Sequence, residues 1–159
     1  MSPTTGQKIP AMTLHIKDED GIDSFDTAAF FAGKKVVMFS VPGAFTPTCS
    51  VKHVPSYLEH YDALKQAGFD AVVCLSVNDA HVMHAWGLDQ QVGDKIIMLA
   101  DQSAAFSQEL GLAVHMGDVI GTRAARCALV IEDGVITHSF VEEPAVYEVS
   151  SAEHVLANI

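Results

Sequence analysis

The chain has 159 residues, 49% apolar and 18% charged, with 20 acidic against nine basic residues for a net charge of −11. That is the size and composition of one globular domain able to bury its own core, which excludes a disordered chain. An acidic chain gains nothing from counterion release on phosphates, so neither nucleic acid nor an anionic membrane surface is an expected partner.

Residues 9–33 carry no clear hydrophobic period. Residues 36–40 form a short, β-branched apolar run stopped by Val41-Pro42-Gly43, the pattern of a buried strand. Thr46-Pro47-Thr48-Cys49-Ser50 reads as a helix start. Val51, Val54, Leu58, Tyr61 and Leu64 then recur at three- and four-residue spacing, the apolar stripe of a helix. Pro55 is expected to kink that helix and Gly68 to end it. Residues 71–77 are almost continuously apolar, as in a parallel strand covered on both faces. Asn78-Asp79 offers an N-cap for a helix to about Leu88. A third strand is expected over 95–100 and a short helix over 103–110, closed by Gly111. Residues 126–131 and 135–141 flank Asp133-Gly134, a strong hairpin signal, and 151–157 reads as a terminal helix capped by Ser150 or Ser151. The order β-α-β-α-β-α-β-β-α implies parallel strands with right-handed crossovers, then an antiparallel pair. The expected fold is α/β and thioredoxin-like, a mixed sheet flanked by helices, in a single domain over 1–159.

Cys49 is the residue that suggests chemistry. It lies one turn into a helix that follows a buried strand and a sharp Pro-Gly turn. Free N–H groups and the helix dipole favour an anion there, so a thiol in that position is a ready source of thiolate and is expected to be exposed. A buried, inert cysteine is the alternative from position alone. Thr46, three residues earlier, can share the same first-turn space and direct its hydroxyl at the sulfur. It also occupies the place of the first Cys in a Cys-x-x-Cys reductase motif, so a two-thiol cycle inside the motif is excluded.

Pro42-x-x-x-Thr46-x-x-Cys49 resembles the peroxiredoxin signature Pro-x-x-x-Thr-x-x-Cys. The longer string from Val41 to Ser50, with His53 and Pro55, is similar to the type II, or peroxiredoxin-five, branch. So are Ser76-Val77-Asn78-Asp79, Ala85-Trp86, Gly121-x-Arg123-x-x-Arg126 and the Asp133-Gly134 hairpin. The resemblance covers nearly the whole chain. It implies a thiol-dependent peroxidase that reduces hydrogen peroxide and organic hydroperoxides through a sulfenic acid at Cys49. Thr46 would orient the peroxide, Arg126 would hold the thiolate and polarise the O–O bond, and Pro42 would shield the site. The backbone N–H groups of Thr48 and Cys49 would bind the substrate oxygens. The same resemblance implies a homodimer. Some members of the branch carry a resolving Cys near the C-terminus, where Val149-Ser150-Ser151 stands here. Cys74 matches a second cysteine of plant-like members and is a possible resolving residue. An external thiol (glutathione, glutaredoxin or thioredoxin) is the expected reductant.

Full ionisation of an ordinary thiol gains only about 30-fold in thiolate at neutral pH, and nucleophilicity falls with basicity. A fast peroxidase therefore needs positioning and stabilisation of the departing oxygen, for which Thr46 and Arg126 are available. The residue after Arg126 is Cys127, where the family usually has an aromatic. Strand alternation turns Cys127 away from the site if Arg126 faces it, and Cys127 reads as core. Arg123 reads as a structural or rim charge, and Trp86 as a core or pocket-wall residue.

No cofactor is expected. His81-x-x-His84 supplies too few ligands for zinc, and no metal site is expected. No apolar run approaches the roughly 18 residues of a membrane span, and the first eight residues lack a secretion signal's pattern. With three cysteines in no disulfide framework, the expected location is the cytoplasm. Two other functions fit the fold class: a disulfide reductase or glutathione-linked transferase, of which Thr46 opposes the reductase, and a non-enzymatic redox sensor or holdase, which needs an exposed apolar patch or a disordered arm.

Overall fold

The computed structural model describes residues 2–159. In chain order it runs β1 (Thr13–Asp18), β2 (Gly21–Asp26), α1 (Thr27–Phe31), β3 (Lys35–Ser40), a π-helical turn (Cys49–His53), α2 (Val54–Glu59), α3 (Tyr61–Gln66), β4 (Ala71–Ser76), α4 (Ala80–Asp89), β5 (Ile97–Ala100), α5 (Ala105–Leu110), β6 (Ala113–His115), α6 (Gly117–Ile120), β7 (Thr122–Ala124), β8 (Cys127–Glu132), β9 (Val135–Val141) and α7 (Ala152–Ala157). Seven strands make one sheet in the order β2-β1-β5-β4-β3-β8-β9. β3, β4 and β5 are parallel, and the strands on either side of them are antiparallel.

The three parallel strands are buried on both faces, and alternation sorts their side chains. Val37, Phe39 and Val41 join Val72 and Cys74 against α2, α3, α4 and α7. Val36, Met38, Val73 and Leu75 face the other way, toward α1 and α5. This is why their sequences read as unbroken apolar runs rather than alternating ones. On the first face, the Phe39 and Tyr57 rings stack 4.1 Å apart at 1°, fixing α2 against β3.

The helix after β3 departs from the expected stripe. Val51 is exposed, while Val54 and Leu64 are buried. Pro55 is the cause: its ring crowds the carbonyl four residues back, and the preceding turn widens so that Val54 N–H bonds to Cys49 O, five residues back. The widened turn rotates Val51 out to solvent. The helix also breaks at His60, between α2 and α3, a division the spacing did not reveal. Gly68, at φ +95°, ends α3 in a Schellman motif, with Gly68 N–H to Lys65 O and Phe69 N–H to Leu64 O. Leu64 and Phe69 are both buried beneath it.

Asp79 and Ser151 cap α4 and α7 with their side chains. Asp133 and Gly134 both have positive φ, 50° and 76°, as a type I′ hairpin turn requires. Strand β5 begins at Ile97 rather than 95, and β8 at Cys127 rather than 126. Arg126 therefore stands in the loop before the strand. Residues 13–26 form an antiparallel hairpin on the sheet edge, and β6 and β7 a separate small ribbon.

Candidate active site

The site grows from the carboxyl end of β3. Asn78, just beyond the end of β4, accepts Ala44 N–H on its Oδ1 at 3.0 Å and so holds the loop after Pro42. The loop packs closely at Gly43, where a Cβ would lie 3.2 Å from both Arg123 Nη1 and Thr46 Cγ2. Arg123 is a structural clamp, donating to Ile120 O and Val77 O. Phe45 then takes the left-handed region, φ +63°, and the chain turns into the π-helical turn. Pro47 has no N–H. Among the described residues, the Thr48 and Cys49 N–H groups donate to no protein acceptor, so the free donors expected at this helix start are present.

Cys49 is fully buried, contrary to the expected exposure: it packs into the apolar layer with Val54, Tyr57 and Trp86. Its Sγ lies 2.8 Å from Thr46 Oγ1 and 3.1 Å from Arg126 Nη2. Thr46 Oγ1 also lies 2.7 Å from Gly43 O. A hydroxyl has one proton. With Cys49 as a thiol, that proton goes to Gly43 O and the S–H points at Oγ1. With Cys49 as a thiolate, it swings to the sulfur. Thr46 thus serves both protonation states without moving.

Arg126 donates through Nη1 to His53 Nδ1 at 2.8 Å. A guanidinium cannot accept, so Nδ1 carries the lone pair, and the ring proton sits on Nε2, 3.0 Å from Ser150 O. Tyr57 O–H donates to the same carbonyl at 2.8 Å. Tyr147 covers the pair, its ring 5.2 Å from His53 and 5.9 Å from the Arg126 guanidinium carbon. Burial first, and the Arg126 charge second, lower the His53 pKa to about 3, so the ring is neutral and acts as an acceptor.

A pH dependence of stability follows. The unfolded chain binds a proton at His53 below about pH 6.5 and the folded one does not, so stability is full above that value. It falls by about 1.4 kcal/mol per pH unit between about 6.5 and 3. Denaturant melts at pH 7 and pH 5 are expected to differ by about 2 kcal/mol from this group, and His53→Gln should lower the slope by one proton. An unchanged slope would contradict the neutral buried ring.

The other two cysteines are placed differently. Cys74 shares the Cys49 face of the sheet, opposite Phe39 in the register. Burial first, then the nearby Cys49, hold its thiol well above the ordinary value. Cys127 lies on the opposite face. Ser40 Oγ gives its proton to Ala125 O, so Cys127 S–H donates to Ser40 Oγ at 3.0 Å, and burial pushes this thiol up to about 12. Trp86 is fully buried, its Nε1–H on Ser50 Oγ at 3.0 Å. Among the described residues no three His, Cys, Asp or Glu side chains gather as a metal site would need, and no helix is long and apolar enough to cross a membrane.

An open cleft of about 950 Å³ reaches the site, lined by Pro42, Thr46, Pro47, Thr48 and Arg126 and walled by residues 111–116 and 141–147. The structure thus brings together Pro42, Thr46, Thr48, Cys49 and Arg126. Sequence reading left the role of His53 open, took Ser150 only as a candidate helix cap, and did not single out Tyr57, Glu142 or Tyr147. The repeated use of Ser150 as an acceptor is a backbone property, which no residue type announces.

The Redoxin family model matches residues 4–156. Peroxiredoxin-2B of Arabidopsis thaliana is 40% identical over 159 residues, covering 98% of each chain. The reduced Prx3 of Vibrio vulnificus, solved in complex with H2O2, superimposes with a TM-score of 0.93 at 45% identity over 97% of both chains. The oxidized form of that protein gives 0.91 at 45% identity over the full length of both.

Proposed function

The chain belongs to the peroxiredoxins of the redoxin family, thiol-dependent peroxidases on a thioredoxin-like fold, and on that premise we propose that Cys49 is the thiol that attacks the peroxide. The observation that carries this reading is the convergence on one sulfur of the Thr46 hydroxyl at 2.8 Å and the Arg126 guanidinium at 3.1 Å, beside two unoccupied backbone N–H groups. The Cys49 thiolate attacks one oxygen of hydrogen peroxide or an organic hydroperoxide. The S–O bond forms as the O–O bond breaks, and sulfenic acid remains. The departing oxygen takes a proton and leaves as water or an alcohol. Arg126 and the Thr48 and Cys49 N–H groups face the charge that develops, where preorganised donors act most strongly. Thr46 orients the peroxide, and Pro42 walls the mouth of the site. The cycle needs the peroxide and a thiol and no cofactor.

The proposed reductant is an external thiol, with glutathione, a glutaredoxin or a thioredoxin as its class. Two thiols reduce the sulfenic acid to thiol and water and become a disulfide. Two features support this over an internal bridge. Cys127 lies across the sheet, and Cys74 is a buried thiol held well above its ordinary pKa, a poor attacker. A Cys49–Cys74 bond would require the turn at Cys49–His53 to unwind. The test is oxidation with one equivalent of peroxide, without added thiol, followed by peptide mapping. Sulfenic acid at Cys49, reduced on adding glutathione, is the expected result. A quantitative Cys49–Cys74 disulfide, with turnover lost in Cys74→Ser, would replace the external thiol by Cys74.

A homodimer is proposed from the family resemblance, and light scattering at micromolar concentration should give twice the chain mass; the mass of one chain would remove it. A reducing compartment such as the cytoplasm suits three unpaired thiols.

A further inference from the structure

Glu142 follows the last strand and is nine-tenths buried. One carboxylate oxygen, Oε2, accepts the backbone N–H groups of Glu148, Val149 and Ser150 at 2.7, 2.9 and 3.0 Å, and Ser150 Oγ–H at 2.7 Å. Three successive N–H groups around one anion make a nest, here filled from within the chain. The nest fixes Ser150, whose carbonyl takes the His53 Nε2–H. His53 then presents its lone pair to Arg126 Nη1, and Arg126 Nη2 reaches Cys49 Sγ. Glu142 N–H also donates to Arg126 O at 3.0 Å, so the same residue holds Arg126 by its backbone and, through Ser150 and His53, by its side chain.

We propose that Glu142 is a positioning residue of the peroxidase site: by holding the 148–150 loop it sets the His53 tautomer and thereby the guanidinium that faces Cys49. The side-chain path from Glu142 to the sulfur runs through donors and acceptors with no freedom to reverse. The Arg126 donors can only donate, His53 has one proton, and the Ser150 carbonyl can only accept. A loop displaced at Ser150 leaves the tautomer held from the Arg126 side alone, and the other tautomer, whose Nδ1–H opposes the guanidinium, becomes accessible. The inference rests on the peroxidase reading above.

The experiment is a double-mutant cycle. Glu142→Gln keeps the shape but removes the charge that fills the nest. It is expected to slow oxidation of Cys49 by peroxide, followed by Trp86 fluorescence, by about tenfold. In an Arg126→Lys background the same substitution should cost less than about twofold, because the group it positions is gone. Equal losses in both backgrounds, or no loss in either, overturn the proposal. The His53 ring nitrogens give a second readout that needs no activity. Wild type is expected to show one tautomer, with the proton on Nε2, and Glu142→Gln a mixture; an unchanged ring spectrum also overturns the proposal. Should Glu142→Gln unfold, Ser150→Ala removes one of the four donors, and about a threefold loss confined to the Arg126 background is expected; an unchanged rate counts against the proposal. If wild type itself reduces no peroxide, the peroxidase reading fails, and the His53 spectrum alone decides whether Glu142 sets the tautomer.

Discussion

Cys49→Ser is expected to abolish peroxide reduction while the fold survives. A serine hydroxyl fits the same space and keeps the contacts to Thr46 Oγ1 and Arg126 Nη2, so packing and the local network are preserved. What it loses is the nucleophile: a hydroxyl does not ionise near neutral pH, and the reaction needs an anion that forms a bond to oxygen. Peroxide consumption with a thiol donor, and Trp86 fluorescence after rapid mixing, should both fall to background. Cys127→Ser should retain most activity, since that thiol sits on the far face of the sheet against Ser40. Cys74→Ser should also turn over, at a stability cost of about 1–3 kcal/mol for a hydroxyl placed among apolar neighbours. Equal loss in Cys49→Ser and Cys127→Ser would contradict the assignment.

Arg126→Lys is expected to lower the rate constant for peroxide by about 100-fold or more, the scale of losing a preorganised donor to a developing oxyanion. Charge alone is not what the site uses. One planar group spans two partners, His53 Nδ1 at 2.8 Å and Cys49 Sγ at 3.1 Å. A single ammonium on a flexible stem has donors enough but no rigid fork to hold both at those separations. The residue precedes β8 and does not fill the core, so thermal melting should change little. A rate constant for the lysine variant equal to wild type would remove Arg126 from the mechanism.

The central strands were legible because burial on both faces leaves continuous apolar runs, and the Asp133-Gly134 turn because few residues adopt positive φ twice in succession. The edge hairpin at 13–26 was not. Asp18, Glu19, Asp20 and Asp23 face solvent there, and an edge ribbon with one anchored side chain per turn of pattern, such as Leu14 or Phe25, has little period to read. The same division holds at the site. Thr46 and Cys49 are three residues apart and announce each other. Arg126 is 77 positions from Cys49, and only the family resemblance connected them. The Ser150 carbonyl and the N–H nest around Glu142 are made of main chain, so their placement depends on the folded path of residues 142–150 and on no side-chain signature.

The alternation of the pleated sheet separates the thiols into two redox territories. Cys49 and Cys74 drain toward one layer of helices, while Cys127, paired with Ser40, looks into the other. Cys49 and Cys74 share a layer, and the turn at Cys49–His53 would have to unwind before they could bridge. Cys127 stands across the backbone ladder of β3 and β8 from both of them. Sulfur-to-sulfur exchange needs the two side chains in contact, so the sheet itself stands between Cys127 and any oxidation that begins at Cys49.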